Sequence, residues 1–148
     1  MSGRPVLIAY DGSAHARAAI EHAGEVLKPT PAVVATVWIS FADAAPRALL
    51  RDALRGVVSD LDDSGREEAE ELAAEGTQLA RDAGLDAQPR AVQASGPFFA
   101  SLLEVAEEID AAAIVVGSRG RSSLAATVLG SVSTGILHHT SRPVLVVR

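Results

Sequence analysis

Short unbroken apolar runs alternate along the chain with longer stretches of helical period. Val6 to Tyr10 and Val33 to Ile39 lack polar alternation, as expected of strands buried on both faces of a parallel sheet. Between them Ala16, Ala19, Ile20, Ala23, Val26 and Leu27 recur at helical spacing, predicting a helix from Ala14 to Leu27. Ser13 is placed to cap that helix, and Pro29 and Pro31 to stop it. Arg66 to Ala83 gathers Ala69, Leu72, Ala73, Gly76, Leu79 and Ala80 on one side, a long amphipathic helix ended by Gly84. Ala87 to Gln93 is a weaker strand, nearer an edge because Pro89 cannot donate to a ladder. A helix from Phe98 to Ile109, a strand from Ala111 to Val116, a short helix from Val132 to His139 and a last strand from Val144 to Val147 complete the pattern.

The stretch Ser40 to Gly65 is less regular. Leu50, Leu54, Val57, Val58 and Leu61 predict a helix with an apolar side, along which Arg47, Arg51 and Arg55 form a stripe. Asp62-Asp63-Ser64-Gly65 is expected to break the pattern, with Asp63 or Ser64 capping the next helix. The alternation of strands and helices predicts one α/β domain, an open parallel sheet of five strands with helices on both faces.

Composition narrows the classes. The chain has 148 residues, a one-domain length that buries about 70% of its unfolded surface. Aromatic residues make up 3%, so the core is built from Val, Leu, Ile and Ala. With no cysteine, disulfides and thiolate metal sites are excluded, which suits a cytoplasmic protein. No apolar run reaches the roughly 20 residues of a membrane span, and no signal-peptide h-region opens the chain, so no membrane role is expected. The net charge of −6 argues against a nucleic-acid binder.

The candidate chemistry lies after the fourth strand. Gly117-Ser118-Arg119-Gly120 is followed, nine residues on, by Gly130-Ser131-Val132-Ser133 and a helical pattern. A strand, a glycine-bearing loop and a helix N-terminus in that order make a phosphate cradle. Glycine lets the backbone approach an anion, and the first helical turn offers N–H groups and the positive end of its dipole. Ser131 and Ser133 add hydroxyls, and Arg119 and Arg121 local positive charge. The plain alternative is that the glycines only turn the chain and Ser131 only caps a helix. The pattern is neither the G-x-G-x-x-G fingerprint nor a P-loop, since no lysine follows the last glycines. Asp11 ends the first strand where α/β sheets bind ligands, but Asp-Gly is also a common turn. The Arg47/Arg51/Arg55 stripe reads as a solvated face; the sharper alternative is a mobile cover bringing a cation over the phosphates.

Gly117-Ser118-Arg119-Gly120, the gap, Gly130-Ser131-Val132-Ser133, the closing Arg142-Pro143-Val144-Leu145-Val146-Val147 and the opening Val6-Leu7-Ile8-Ala9-Tyr10-Asp11-Gly12-Ser13 together resemble the universal stress protein family, in its ATP-binding subgroup. The resemblance spans residues 1–148 as one domain. It implies a Rossmann-like sheet of the adenine-nucleotide alpha-hydrolase type with strand order 3-2-1-4-5. It also implies ATP with Mg²⁺ as ligands, the metal reached by Asp11 through the nucleotide, and Ala9 and Val37 beside the adenine. A homodimer through the edge strand Val144–Val147 is implied as well. The expected nucleotide site is therefore Ala9, Asp11, Val37, Gly117, Arg119, Gly120, Gly130, Ser131, Val132 and Ser133.

Three departures from the family pattern stand out. Gly96-Pro97-Phe98 replaces Gly-x-Pro, which shifts the expected start of that helix. Thr134 stands where an acidic residue is usual, so no capping box forms and the first turn should be loose. Gly135 follows inside the helix, at about 1 kcal/mol relative to Ala. The leading expectation is a nucleotide-dependent regulatory protein of the stress response. A slow Mg-dependent ATP hydrolase and a nucleotide-free interaction protein on the same fold are the alternatives, with FMN binding more distant. No nucleophile, base and orienting acid occur together, so no catalytic residue is assigned.

Overall fold

The computed structural model describes residues 3–28, 30–41, 55–119 and 129–148. Gly120, Arg121, Arg47, Arg51, Leu50, Leu54 and Pro29 lie outside the described residues. The elements follow in the order β1 (Val6–Ala9), α1 (Ala14–Leu27), β2 (Pro31–Trp38), α2 (Arg55–Asp82), β3 (Asp86–Gln93), α3 (Phe98–Glu108), β4 (Ala113–Gly117), α4 (Ser131–His139) and β5 (Val144–Val147). The strands form one sheet, all pairs parallel, in the order β3-β2-β1-β4-β5. This is the expected order, and it leaves β3 and β5 as the two edges.

The apolar runs explain the layers. On β1, Val6 and Ile8 face a cluster with Ala16, Ala19, Ile20 and Ala23 of α1 and Ala80 of α2. Leu7 faces the other way, onto Leu102, Val105 and Ala106 of α3 and Ile136 of α4. A central strand with both faces covered needs apolar residues at every position, which is why β1 shows no alternation. Leu7, Ile8, Ile20, Ile114 and Ile136 are fully buried, each contributing about 1.5–3 kcal/mol of transfer free energy.

Several boundaries differ from the sequence expectation. Pro31 does not stop α1 but opens β2, paired with Asp86 of β3. Asp62-Asp63-Ser64-Gly65 does not break a helix, because α2 runs through it without a cap. The side chain of Asp62 serves a different purpose: its carboxylate accepts from the Phe41 N–H at 2.5 Å and the Ser40 hydroxyl at 2.8 Å. That clasp ties the exposed first half of α2 to the end of β2. The second half is held by burial of Ala69, Ala73, Gly76, Thr77 and Ala80. Gly84, at φ 97°, then turns the chain into β3. The helix at Phe98 starts directly after Pro97, whose carbonyl accepts from the Ala100 N–H at 3.0 Å. Gly135, counted only as a cost in the sequence, has a packing reason: a Cβ there would stand 2.3 Å from the Phe99 ring. α3 and α4 touch through that gap, and His139 stacks on Phe99 with centroids 4.8 Å apart.

Candidate functional site

The C-terminal ends of β1, β2 and β4 open onto one crevice, with β1 and β4 adjacent at the point where strand order reverses. After β1, Asp11 and Gly12 make a tight turn, Gly12 at φ 81°. The Asp11 carboxylate accepts from the Ser13 N–H at 2.9 Å, and the Ser13 hydroxyl oxygen accepts from the Ala16 N–H at 3.2 Å. Ser13 is the N-cap of α1, as its place in the sequence predicted.

The opposite wall is built differently. Gly117 is the last residue of β4, in register with Val147, and not part of the loop after it. A Cβ on Gly117 would stand 2.8 Å from the His15 backbone, so this glycine is required by α1 packing over the sheet. Ser118 continues the ladder, its N–H donating to the Val147 carbonyl at 2.7 Å. The Gly130 N–H returns to the Ser118 carbonyl at 2.6 Å and closes the cradle. The hydroxyl of buried Ser133 lies 3.1 Å from the Ser118 carbonyl and 3.0 Å from that of Gly130, so it braces the loop from within. Gly130, the N-cap of α4, sits at φ −66° and brings no side-chain cap to the first turn. Neither Gly117 nor Gly130 adopts positive φ, so closeness and not turn geometry selects both. A Gly130 Cβ would lie 3.3 Å from the Ser118 carbonyl oxygen and 3.4 Å from the Arg119 Cα.

These walls enclose a cavity of about 720 Å³. Ala9, Asp11, Val37, Gly117, Arg119, Gly130, Ser131, Val132 and Ser133 all line it, so every described residue of the expected site meets in one place. Ser131 is exposed, Arg119 and Asp11 half-buried. Among the described lining residues the charged groups are Asp11, Glu68 and Arg119, with Arg119 the sole cation. His138 and His139 end α4 away from the crevice, and no group of three or more His, Asp or Glu could hold a metal among the described residues.

Tyr10, Phe98, Trp38 and one side of α2 also line the cavity and were not among the expected site residues. Tyr10 lines the cavity while its hydroxyl donates to Glu75 at 2.5 Å and accepts from Arg17 at 3.3 Å. Burial first, then the hydrogen bond to Glu75, pushes the Tyr10 phenol above its ordinary value, so it stays protonated at neutral pH. Phe98 borders the crevice from the start of α3. Trp38 and the α2 residues Gly65, Glu68, Ala69 and Leu72 form a further wall. The helical period of α2 showed an apolar side for Ala69 and Leu72, but nothing local tied it to this crevice.

An open doubly wound sheet with a ligand-sized crevice at its switch point defines the class, a Rossmann-like α/β protein. More narrowly, the family model of the universal stress protein family matches residues 3–148, and the chain belongs to that family. Among solved structures, universal stress protein UspA from Lactobacillus plantarum is 21% identical, with a TM-score of 0.74 over 100% of this chain and 99% of that one. A universal stress protein solved in complex with cAMP is 26% identical, with a TM-score of 0.68 over 100% of this chain and 99% of its own. The universal stress protein from Archaeoglobus fulgidus in complex with dAMP is 22% identical, with a TM-score of 0.68 over 100% of both chains. No curated protein matches the chain. Among the described residues no helix is long and apolar enough to cross a membrane.

Proposed function

We propose that residues 1–148 form one universal stress protein domain that binds ATP with Mg²⁺ in this crevice and acts as a nucleotide-dependent regulatory protein. The carrying observation is the convergence of Ala9, Asp11, Val37, Arg119, Gly130 and Ser131 on one cavity at the strand switch point. The groups present suit the ligand. Ala9 and Val37 offer an apolar wall to adenine, and Arg119 meets phosphate charge. The first turn of α4, Ser131 to Ser133, lines the same cavity and would offer N–H groups to an anion. Asp11 is the one described acidic residue on the β1 side, which fits a Mg²⁺ held mainly by phosphate oxygens. The relatives solved with cAMP and dAMP support an adenine nucleotide as the ligand class. Two copies joined through the β5 edge, Val144 to Val147, complete the proposed assembly.

The test is calorimetry of the purified chain with ATP, AMP and cAMP, each with and without Mg²⁺, beside mass spectrometry of nucleotide released by heat. ATP affinity raised by Mg²⁺ is the expected result. Heats indistinguishable from dilution for all three ligands would remove the reading. Light scattering reports the assembly, and a monomer at micromolar concentration would remove the dimer.

A further inference from the structure

The ladder between β1 and β2 stops just short of the crevice, and a side chain makes the stop. In a parallel pair, alternate residues of a strand turn both backbone groups to the same neighbour. On β2, Trp38 turns to β3, because its carbonyl accepts from the Ala94 N–H at 2.8 Å. Ala35 turns to β1, because its carbonyl accepts from the Tyr10 N–H at 2.9 Å. Val37, two residues beyond Ala35, therefore directs its N–H and C=O to the β1 side as well. The register of β1 with β2 ends at Ala9 and Ala35, and the chain then turns away at Gly12. Val37 is half-buried and lines the cavity at that point.

The next rung of the ladder would join the Val37 N–H to the Tyr10 carbonyl. Among the described residues that rung is not made. The Tyr10 carbonyl instead accepts from the Thr36 hydroxyl at 2.8 Å. Thr36 is 4% exposed, so water does not compete for that hydroxyl. Tyr10 is held on its other sides too. Its phenol is bound to Glu75, and its ring packs so closely on α2 that a Cβ on Gly76 would stand 2.7 Å away. The hydroxyl takes the place of an amide on a fixed carbonyl, and Val37 keeps one donor and one acceptor beside the crevice.

We propose that Thr36 is a positioning residue that sets base specificity: by taking the Tyr10 carbonyl it leaves the Val37 main chain open to the ligand. An open N–H beside an open C=O selects a ring edge that carries an acceptor beside a donor. Adenine has that edge, N1 beside the 6-amino group. Guanine carries the reverse, an N1–H beside a 6-carbonyl, and sets donor against donor at Val37. The choice of adenine over guanine deepens the nucleotide reading above and rests on it; the missing rung does not.

Two measurements on the full chain test this. The first is calorimetry with ATP and with GTP on the parent, Thr36→Val and Thr36→Ser. Thr36→Val keeps the shape and removes the hydroxyl, which frees the Tyr10 carbonyl to take the Val37 N–H. ATP should then weaken about tenfold and GTP much less, so that the preference for ATP falls about tenfold. Thr36→Ser restores the hydroxyl and should keep the preference within about twofold of the parent. A purely structural Thr36 would lower the melting temperature of Thr36→Val and leave the ATP-to-GTP ratio unchanged, which would overturn the proposal. The second measurement is amide hydrogen exchange at Val37 in nucleotide-free protein, which needs no ligand. Fast exchange is expected in the parent and in Thr36→Ser, slowed at least about tenfold in Thr36→Val. A Val37 amide already protected in the parent would overturn the proposal as well. If the parent binds neither nucleotide, the nucleotide reading falls, and with it the base preference proposed here. Exchange at Val37 would then still show whether Thr36 keeps the rung open.

Discussion

The N-termini of α1 and α4 both face the crevice, and they are finished in opposite ways. α1 is closed by its own chain: Ser13 caps the Ala16 N–H, and Asp11 holds the Ser13 N–H. α4 begins at Gly130, which brings no side chain to its first turn. A terminus closed by side chains is fixed for folding, whereas one without a side-chain cap keeps its donors for whatever enters the crevice. The two glycines of the motif divide along the same line. A Cβ on Gly117 would meet the backbone of α1 at 2.8 Å, and one on Gly130 would meet Arg119 in the loop at 3.4 Å. One glycine therefore holds the sheet to a helix, and the other shapes the cradle.

Three substitutions test that division. Gly117→Ala should have the largest effect, a loss of about 3 kcal/mol of stability, because backbone at 2.8 Å cannot rotate away as a side chain can. Chemical denaturation measures it, and a variant as stable as the parent would place Gly117 with the cradle after all. Gly130→Ala should cost affinity more than stability, about tenfold in nucleotide binding, since its contacts of 3.3 and 3.4 Å need only a small shift of the loop. Equal ATP affinity by calorimetry would show that the loop shape does not matter to the ligand. Ser13→Ala should remove about 1 kcal/mol of stability by loss of a cap and leave nucleotide affinity within experimental error. A fall in affinity without a fall in melting temperature would make α1 a ligand site too.

The smallest effect is expected at the far end of the sheet, which serves as a control. Asp110, at φ 49°, accepts from Arg142 at 3.2 Å and from Arg4 at 2.9 Å, and those guanidinium groups, Arg142 first, hold its carboxyl below the ordinary value. A carboxylate favoured by the fold contributes stability fully above its unfolded pKa and loses it as pH falls through the lower folded one. Asp110→Asn, a residue that tolerates left-handed backbone, should lower the melting temperature slightly at neutral pH. The gap to the parent should close as pH falls through the carboxylate range, with nucleotide binding unaffected throughout. A gap that widens in acid would reverse the sign of the Arg142 and Arg4 contribution.

The sheet was legible because its central strands are apolar at every position, a pattern that only two covered faces require. That Gly117, Arg119 and Gly130 to Ser133 line one crevice was legible because they lie close in sequence on either side of one loop. What escaped reading depends on partners distant in the chain. Asp62 looks like a helix breaker beside Ser64 and Gly65, yet it is bound to Ser40 and Phe41, and the helix continues. Gly117 looks like a loop glycine until His15 is laid across it. Leu72 and Trp38 carry no motif, so their place in the lining of one cavity was visible only in three dimensions.

The two edges of the sheet are not equivalent, and this bears on how far copies of the chain can assemble. At β3 Pro89, in register with Val34, brings no N–H to the strand and is flanked by Gln88 and Arg90. At β5 the strand Val144-Leu145-Val146-Val147 carries neither proline nor charge. A two-fold partnership through β5 would use the one unguarded border of each copy. What remains outward is a proline-bearing border at both ends, which refuses a further strand. Growth would then terminate by itself at two sheets of five strands, with no route to a filament however high the concentration.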